Sequence, residues 1–580
     1  MSGREHLRVK RTGAAALVEA LEAAGTEVLF GYPGSTVLEI FDHLTRARFP
    51  FVLARHEQGA LHMADGYARA TGRSGVAIVT SGPGVTNAVT GLATANMDGI
   101  PLVVITGQVP LDQIGTDAFQ EADTSGITRA VSKHNFLVQR ADEIPEIVAQ
   151  AFYIATHGKP GPVVIDVPRN CQEEETAARR PERLSFRAYH PEFSASAQDI
   201  ATLARLVNTS RRPVLYCGGG VIAAAAADDV AALAHRADIP VATTLMGLGA
   251  FDSTDSLSLG MAGMHGAWCA NCAIAGCDLL IALGVRFSDR VTARLEEYAP
   301  KAKIVQVDCD PASVGKNVSV DLGIIADVKD VLRTVASRVR EARHADWQAR
   351  IAKWRAEHPL TYAPAAAGVI APQEAISCVT RLAGDAAIIV TDVGQHQMWC
   401  AQYGAPRHPR HFLTSGGMGT MGFGIPAALG AAFAHPDRRV VAVCGDGGAQ
   451  MTFEEVVVAV EHELDVKIVI INNGALGMVR QSQAFFYQGN YSATILTTEG
   501  RTPNEQIRRK SATYWPDFVR LATASGARGL RIVEPARLMP DLKRAFAWKG
   551  PVVIEIQVDP SANVLPMIPP GRPITETIHG

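Results

Sequence analysis

Two strand-ending motifs carry the clearest chemistry in this chain. An apolar run, VVAVC, leads straight into Gly445-Asp446-Gly447, and a second, KIVII, ends in Asn472-Asn473, with residues 448–471 between them. Glycine just past a strand lets the backbone approach a diphosphate closely. Asp446 is a hard oxygen ligand for Mg²⁺, and an Asn carboxamide adds another. Two neighbouring parallel strands would deliver both groups at their carboxyl ends, where open α/β sheets bind ligands. Gly-Asp-Gly and Asn-Asn-Gly are each common turns; their spacing and the strands before them are what point to a metal–diphosphate site. A third group, Glu57 in ARHEQGALHMADGYARATG (54–72), opens a helical pattern. A carboxylate there is ordinarily a favourable first-turn charge, and in a cleft it is a proton donor or acceptor.

The elements that must position these groups follow one plan. Short apolar runs alternate with Ala-rich helical stretches, which means βαβ units and parallel sheets. The runs at 75–81, 101–107 and 162–168 read as strands, with a helix over 87–99. A charged, strandless linker is expected over 172–197. A second segment has strands at 213–219, 239–245, 279–285 and 303–308 and ends in one long polar helix over 330–358. PLTYAPAAAG after it reads as a second linker. The third segment has strands at 387–394, 439–447, 467–473 and 552–559. The expected fold class is α/β, with three doubly wound parallel-sheet domains over 1–175, 195–345 and 372–580. The first and third segments share a general plan.

Hydrophobic residues make up 47 % of the 580 and charged residues 19 %, with a formal charge of −3. That permits large cores and favours neither nucleic acid nor an anionic membrane as partner. No apolar run is long enough to span a bilayer, and the start, MSGREHLRVKR, lacks a signal-peptide core, so a cytoplasmic protein is expected. Among nine cysteines, Cys269 and Cys272 have CxxC spacing, but no second ligand pair exists, so they read as small core residues.

With Glu57, then Gly445-Asp446-Gly447 and Asn472-Asn473 along its sequence, the chain resembles the thiamine-diphosphate enzymes. The resemblance implies Mg²⁺ held by Asp446, Asn473 and the Ala475 carbonyl. It also implies cofactor contacts from Gln395 and His396 in VGQHQMW (393–399), from Gly445 and Gly447, and from Met478. SGGMGTMGFGIPAALGAA (415–432) resembles the segment under the thiazolium, with Gly419 and with Met421 forcing the bent cofactor shape. Glu57 would hold a carboxylic acid proton against the aminopyrimidine N1′, promoting the tautomer that deprotonates thiazolium C2.

GYPGSTVLEIFDHL (31–44), TSGPGVTNAVTGLATANMDGIPLVVITGQVP (80–110), IGTDAFQEAD (114–123), SKHNFLV (132–138) and NVLPMIPPG (563–571) are similar to acetohydroxyacid (acetolactate) synthase catalytic subunits. This resemblance covers nearly the whole chain. It implies decarboxylation of pyruvate, transfer of the two-carbon unit to a second 2-oxoacid, and 2-acetolactate as product, the first step toward branched-chain amino acids. Gln120 would lie near the cofactor, and Phe119 and Arg290 near the acceptor. RPVLYCGGG (212–220), TLMGLG (244–249), GMAGMHG (260–266), LGVRFSDRVT (283–292) and VDCDPASVGKN (307–317) resemble that family's FAD-binding domain. The implied contacts to a non-redox FAD are Lys159, Gly218, Gly219, Gly220, Thr244, Leu245, Met264, His265, Gly284, Arg286, Arg290, Asp308 and Asp327. In the family the glutamate and diphosphate sites come from different subunits, so a homodimer or homotetramer is implied, with a small regulatory subunit as a further partner.

Four positions depart from the family pattern. GMVRQSQ has Ser482 in place of a Trp that lines the acceptor pocket, so weak preference for 2-oxobutyrate and herbicide tolerance are expected. Lys159 replaces an FAD-contacting Arg and loses its planar fork. Ser288 replaces an Asp. The polar stretch 494–516 is longer than the family's and reads equally as a loop or an active-site lid. Ser482 and that stretch keep open a related carboligase or decarboxylase with another acceptor; a non-catalytic relative is disfavoured by the presence of Glu57, Asp446 and Asn473.

Overall fold

The computed structural model describes residues 11–496 and 516–579. The stretch 494–516 therefore lies outside the described residues, except for its first three residues and Pro516. Three six-stranded sheets, all parallel, form the frame, so the α/β class with three sheet domains holds. A two-residue antiparallel pair, Arg11–Thr12 with Glu175–Thr176, is the one further sheet among the described residues. Glu175–Thr176 thus breaks the expected strandless linker, because its backbone finds an edge to pair with.

The first and third sheets have the same order. Counting strands along the chain, each runs second–first–third–fourth–sixth–fifth. In the first sheet the strands are Leu29–Gly31, Phe51–Leu53, Gly75–Val79, Leu102–Gln108, His134–Leu137 and Pro162–Pro168. In the third they are Ile388–Thr391, Phe412–Thr414, Val440–Gly445, Val466–Asn472, Arg528–Ile532 and Val552–Gln557. The central strands are buried throughout, which is why they read as continuous apolar runs. In both sheets the order reverses between the first and third strands, and that reversal opens a crevice at the carboxyl ends.

The central sheet, from Pro213–Cys217 to Leu322–Ile325, runs third–second–first–fourth–fifth–sixth, the order of dinucleotide-binding folds. The single long helix expected over 330–358 is instead two, Val328–Ala336 and Ala345–Glu357. The first buries Val331, Leu332 and Val335 in the cluster around Leu215 and Ile281. The second buries Trp347 and Ile351 in the cluster around Val214 and Leu280. One straight helix cannot face both clusters, so the chain breaks between them, and Arg236 donates to the freed Val339 carbonyl.

By compactness the chain divides into two units. One comprises the residues up to Pro191 with Gly417–Pro436 and Thr452–Leu464; the other comprises the remainder. Within the first unit, helices Glu57–Thr71 and Gly424–Ala434 cross on small residues. A Cβ on Gly66 would fall 2.0 Å from the Ala427 carbonyl oxygen, and one on Gly430 would fall 1.9 Å from that of Met63. Among the described residues no helix is long and apolar enough to cross a membrane. All nine cysteines are free, and all but Cys309 are buried, in keeping with a core role for Cys269 and Cys272.

Candidate active site

In the second unit, the crevice between strands Ile388–Thr391 and Val440–Gly445 gathers the diphosphate-type groups. Asp446 begins a short helix directly after its strand. Its carboxyl is buried, and Oδ2 has no hydrogen-bond partner. Burial pushes this carboxyl up to about 7, although main-chain N–H groups at Gly447 and Gly474 pull the other way. A buried carboxylate with an open oxygen is costly unless a cation faces it. Asn473 Nδ2 donates to Gln395 Oε1 at 3.0 Å, and Asn473 Oδ1 accepts from Ala475 N at 3.1 Å, leaving that oxygen a second lone pair. Gln395 Nε2 donates in turn to Gln481 Oε1 at 2.9 Å.

His396 lies against Gly445, where an added Cβ would sit 3.0 Å from the ring. Burial holds this imidazole down to about 3, so it is neutral, and its buried Nε2 has no partner. The Asp392 carbonyl engages the other ring nitrogen, so in the neutral ring Nε2 is left as an open acceptor. Gly477 leaves no room for a side chain, since a Cβ would meet Gln395 Oε1 at 2.1 Å. Helix Gly477–Phe486 carries Met478 and Ser482, and Ser482 Oγ donates to the Met478 carbonyl at 3.1 Å. Among the described residues no cluster of three His, Cys, Asp or Glu side chains could hold a metal. A site built from one carboxylate, one amide and a carbonyl is of a kind such clusters do not include.

In the first unit, Glu57 is held from two sides. Asn87 Nδ2 donates to Glu57 Oε2 at 2.9 Å. The backbone before it is fixed by Glu455, whose carboxyl accepts from Arg55 N at 3.0 Å and His56 N at 3.1 Å. Burial pushes Glu455 up to about 8. Gly59 must be glycine here, because a Cβ would meet Glu455 Oε1 at 1.9 Å. The loop carrying Phe119 and Gln120 leans on the start of helix Pro83–Asp98, which carries Asn87: a Cβ on Gly82 would come 2.7 Å from the Gln120 carbonyl oxygen. Gln120 has φ +59°, and Phe119 is 84 % exposed. Gln108 anchors the loop's return through the Ala122 carbonyl at 2.9 Å. Glu57, Asn87 and Gln120 thus converge at the start of helix Pro83–Asp98.

The segment with Gly419 and Met421 is gripped by the far end of that helix. Asp98 Oδ1 accepts from Gly417 N at 2.6 Å, and Thr94 Oγ1 lies 2.7 Å from Thr420 Oγ1. Arg69 bridges Asp98, at 2.9 Å, and Asp65, with all three side chains buried. Asp98→Ala would strip Arg69 of one buried partner and Gly417 of its acceptor. It is expected to destabilise the fold by about 3–5 kcal/mol, read as a lower urea midpoint. Asp98→Asn, which keeps an acceptor for Gly417, should lose less.

The dinucleotide-type residues line the carboxyl edge of the central sheet. At its switch point the backbones of Gly218, Gly220 and Gly284 touch: a Cβ on Gly218 would lie 2.1 Å from the Gly284 carbonyl oxygen, and one on Gly220 would lie 2.5 Å from Gly284 Cα. Gly219 faces Met246. Thr244 caps the turn Leu245–Gly247, accepting from Gly247 N at 3.0 Å. Met264 N donates to the Arg290 carbonyl at 2.8 Å, and the Arg290 side chain is largely exposed. His265 is buried, which holds it down to about 4, and its Nδ1 has no partner. The Arg286 carbonyl accepts from Asn317 Nδ2 at 3.0 Å. Asp308 ends the fifth strand of that sheet and Asp327 follows the sixth as a helix cap. Ser288 precedes helix Asp289–Thr292 without a capping bond. Lys159 belongs to the first unit, with Glu57, Phe119, Gln120, Gly419 and Met421. Asn87, Gln481 and Glu455 were not singled out by sequence reasoning. Asn87 sits in the quoted run TSGPGVTNAVTG, but only the fold shows what it faces.

Sheet order, switch-point crevices and an orphaned carboxyl beside a carboxamide define a thiamine-diphosphate enzyme. Residues 11–127, 200–335 and 392–556 match the thiamine pyrophosphate enzyme N-terminal TPP binding, central, and C-terminal TPP binding domains. The chain is 45 % identical over 568 residues to an acetolactate synthase of Mycobacterium bovis, covering 97 % of this chain and 90 % of the relative. It is 45 % identical over 571 residues to the acetolactate synthase large subunit of Parasynechococcus marenigrum, covering 97 % and 90 %. It is 42 % identical over 579 residues to that of Haemophilus influenzae, covering 98 % of each. The chain belongs to the acetolactate synthase large-subunit family of thiamine-diphosphate enzymes. Its chemistry is carboligation of pyruvate to 2-acetolactate; a different acceptor reaction is not favoured.

Proposed function

We propose that this chain is the catalytic subunit of a biosynthetic acetolactate synthase acting in the cytoplasm. Its thiamine diphosphate is anchored through Mg²⁺ on Asp446, Asn473 and the Ala475 carbonyl. The observation that carries this reading is the buried, unpartnered Oδ2 of Asp446 beside Asn473 and the neutral His396. Bound thiamine diphosphate supplies a carbon nucleophile and an electron sink for the loss of CO₂ from pyruvate. Gln395, His396, Gly445 and Gly447 bind and orient the diphosphate, with Met478 beside it, while Gly419 and Met421 fix the cofactor's shape. Glu57 holds the proton on its carboxyl oxygen, and Gln120 lies beside that centre. Phe119, Arg290 and Ser482 form the acceptor pocket, where the Arg290 guanidinium takes the acceptor's carboxylate.

The central sheet's strand order and its crowded Gly218–Gly220–Gly284 turn support FAD as a non-redox cofactor. Lys159 meets it with charge but without a planar fork. The active unit is a homodimer or homotetramer with sites at the subunit interface, served by a small regulatory subunit, as the large-subunit names of the relatives suggest.

The test is incubation of the purified protein with pyruvate, thiamine diphosphate, Mg²⁺ and FAD, with and without 2-oxobutyrate, and product identification by mass. Acetolactate is expected; absence of any ligation product would overturn the reading. Ser482→Trp restores an apolar wall and should raise the 2-oxobutyrate-to-pyruvate product ratio by about 10- to 100-fold, the worth of a few kcal/mol of pocket contact. An unchanged ratio in direct competition discards the assignment of Ser482 to that pocket.

A further inference from the structure

We propose that Asn87 is a positioning residue for the reaction: its amide fixes which oxygen of Glu57 carries the working proton. The inference rests on the reading of Glu57 as the proton-holding carboxyl. Asn87 stands one turn into helix Pro83–Asp98, and its Nδ2 donates to Glu57 Oε2 at 2.9 Å. An ionised carboxylate only accepts, so the amide must face it with its NH₂ group. With Oε2 occupied as an acceptor, a proton taken up by Glu57 goes to Oε1. That oxygen lies against the helix start, 3.6 Å from where a Cβ on Gly84 would stand. The backbone is already locked by Glu455 through Arg55 N and His56 N. Asn87 adds a hold on the carboxyl itself, through Oε2. The orientation therefore comes from two elements that meet only in the fold.

The charged or titratable groups on the packed elements are Arg55, His56, His62, Asp65, Tyr67 and Arg69 on or beside the helix of Glu57, and Asp117, Glu121, Asp123 and Arg129 in and after the loop of Gln120. Asp98 stands at the far end of the helix of Asn87, and Glu454, Glu455, Glu461 and His462 lie in the segment that packs against Gly59. Of these, Glu455 holds the main chain of Arg55 and His56.

The decisive variant is Asn87→Asp, which has the same shape but donates only when protonated. On the holoenzyme, exchange of the thiamine-diphosphate C2 proton with solvent is expected to fall about 10- to 100-fold at pH 8, the scale of lost orientation. It should recover as the pH is lowered to 6, while pyruvate KM stays near wild type. Asn87→Ala should be slow at every pH. A readout independent of activity uses the protein without cofactor. Two carboxyls at hydrogen-bond distance cannot both ionise cheaply, so their folded pKa values rise above the unfolded ones. Stability is then lost as pH rises from the unfolded value through the folded one. The melting temperature of Asn87→Asp should therefore fall increasingly below wild type from pH 5 to 8, and Glu57→Gln in the same chain should abolish that trend.

A flat pH profile at wild-type exchange rate, or a melting trend that survives Glu57→Gln, overturns the role of Asn87. Wild-type exchange in Glu57→Gln alone overturns the reading of Glu57 beneath it. Glu57→Gln inactive with Asn87→Asp indistinguishable from wild type leaves that reading standing and sinks only the Asn87 proposal.

Discussion

Replacing Asp446 by Ala is expected to weaken Mg²⁺ and thiamine-diphosphate binding by more than about 100-fold, since even the outer partners of metal ligands are worth 10–100-fold. The same variant, without cofactor, should melt no lower than wild type. The two effects have opposite signs for one reason: the Asp446 carboxyl is buried with Oδ2 unpartnered, a liability in the empty protein and, on the proposed reading, a ligand in the loaded one. Thermal melts with and without Mg²⁺ and thiamine diphosphate separate them, because ligand stabilisation grows as RT ln(1 + [L]/Kd). Wild-type melts should rise with cofactor concentration, and those of the variant should stay flat over the same range. A variant that is still stabilised like wild type would remove Asp446 from the metal site.

The second large effect is that of Glu57→Gln. Glutamine keeps the size and the hydrogen-bonding oxygen but cannot hold an exchangeable carboxyl proton. C2-proton exchange and kcat are expected to fall together by about 10²- to 10⁴-fold, the range of a positioned acid–base group. Cofactor affinity should change far less, because the proposed diphosphate anchor, Asp446 and Asn473, lies just past two strands of another sheet. Full exchange in this variant would return Glu57 to a first-turn helix charge, and would equally favour a chain that binds nucleotide without catalysis.

The motifs were legible because their chemistry is local. Gly445-Asp446-Gly447 and Asn472-Asn473 each follow a buried strand whose continuous apolar run announces it, and the structure brings their strands side by side. The strands of the three main sheets that escaped are the three-residue Leu29–Gly31, Phe51–Leu53 and Phe412–Thr414 and the edge strands His134–Leu137, Ser258–Met261, Leu322–Ile325 and Arg528–Ile532. Three residues are too few for a period to show, and these strands exist because a neighbouring strand offers its backbone. The break after Ala336 was hidden for the opposite reason: the stretch is helix-forming throughout, and only the two differently placed apolar clusters divide it.

By itself, then, the sequence determined the class of chemistry, the parallel-sheet architecture and the groups that could hold metal, diphosphate and proton. All of these depend on residue type and on neighbours a few positions away. Only the tertiary structure decided which partner orients each group. Glu455 reaches Arg55 across 400 positions and Asn87 reaches Glu57 across 30, distances over which periodicity carries no information. Strand order, likewise, is set by how crossovers pack rather than by any strand's own residues. It decided that a crevice opens beside Asp446 and that Gly218 and Gly284 crowd together at the reversal of the central sheet.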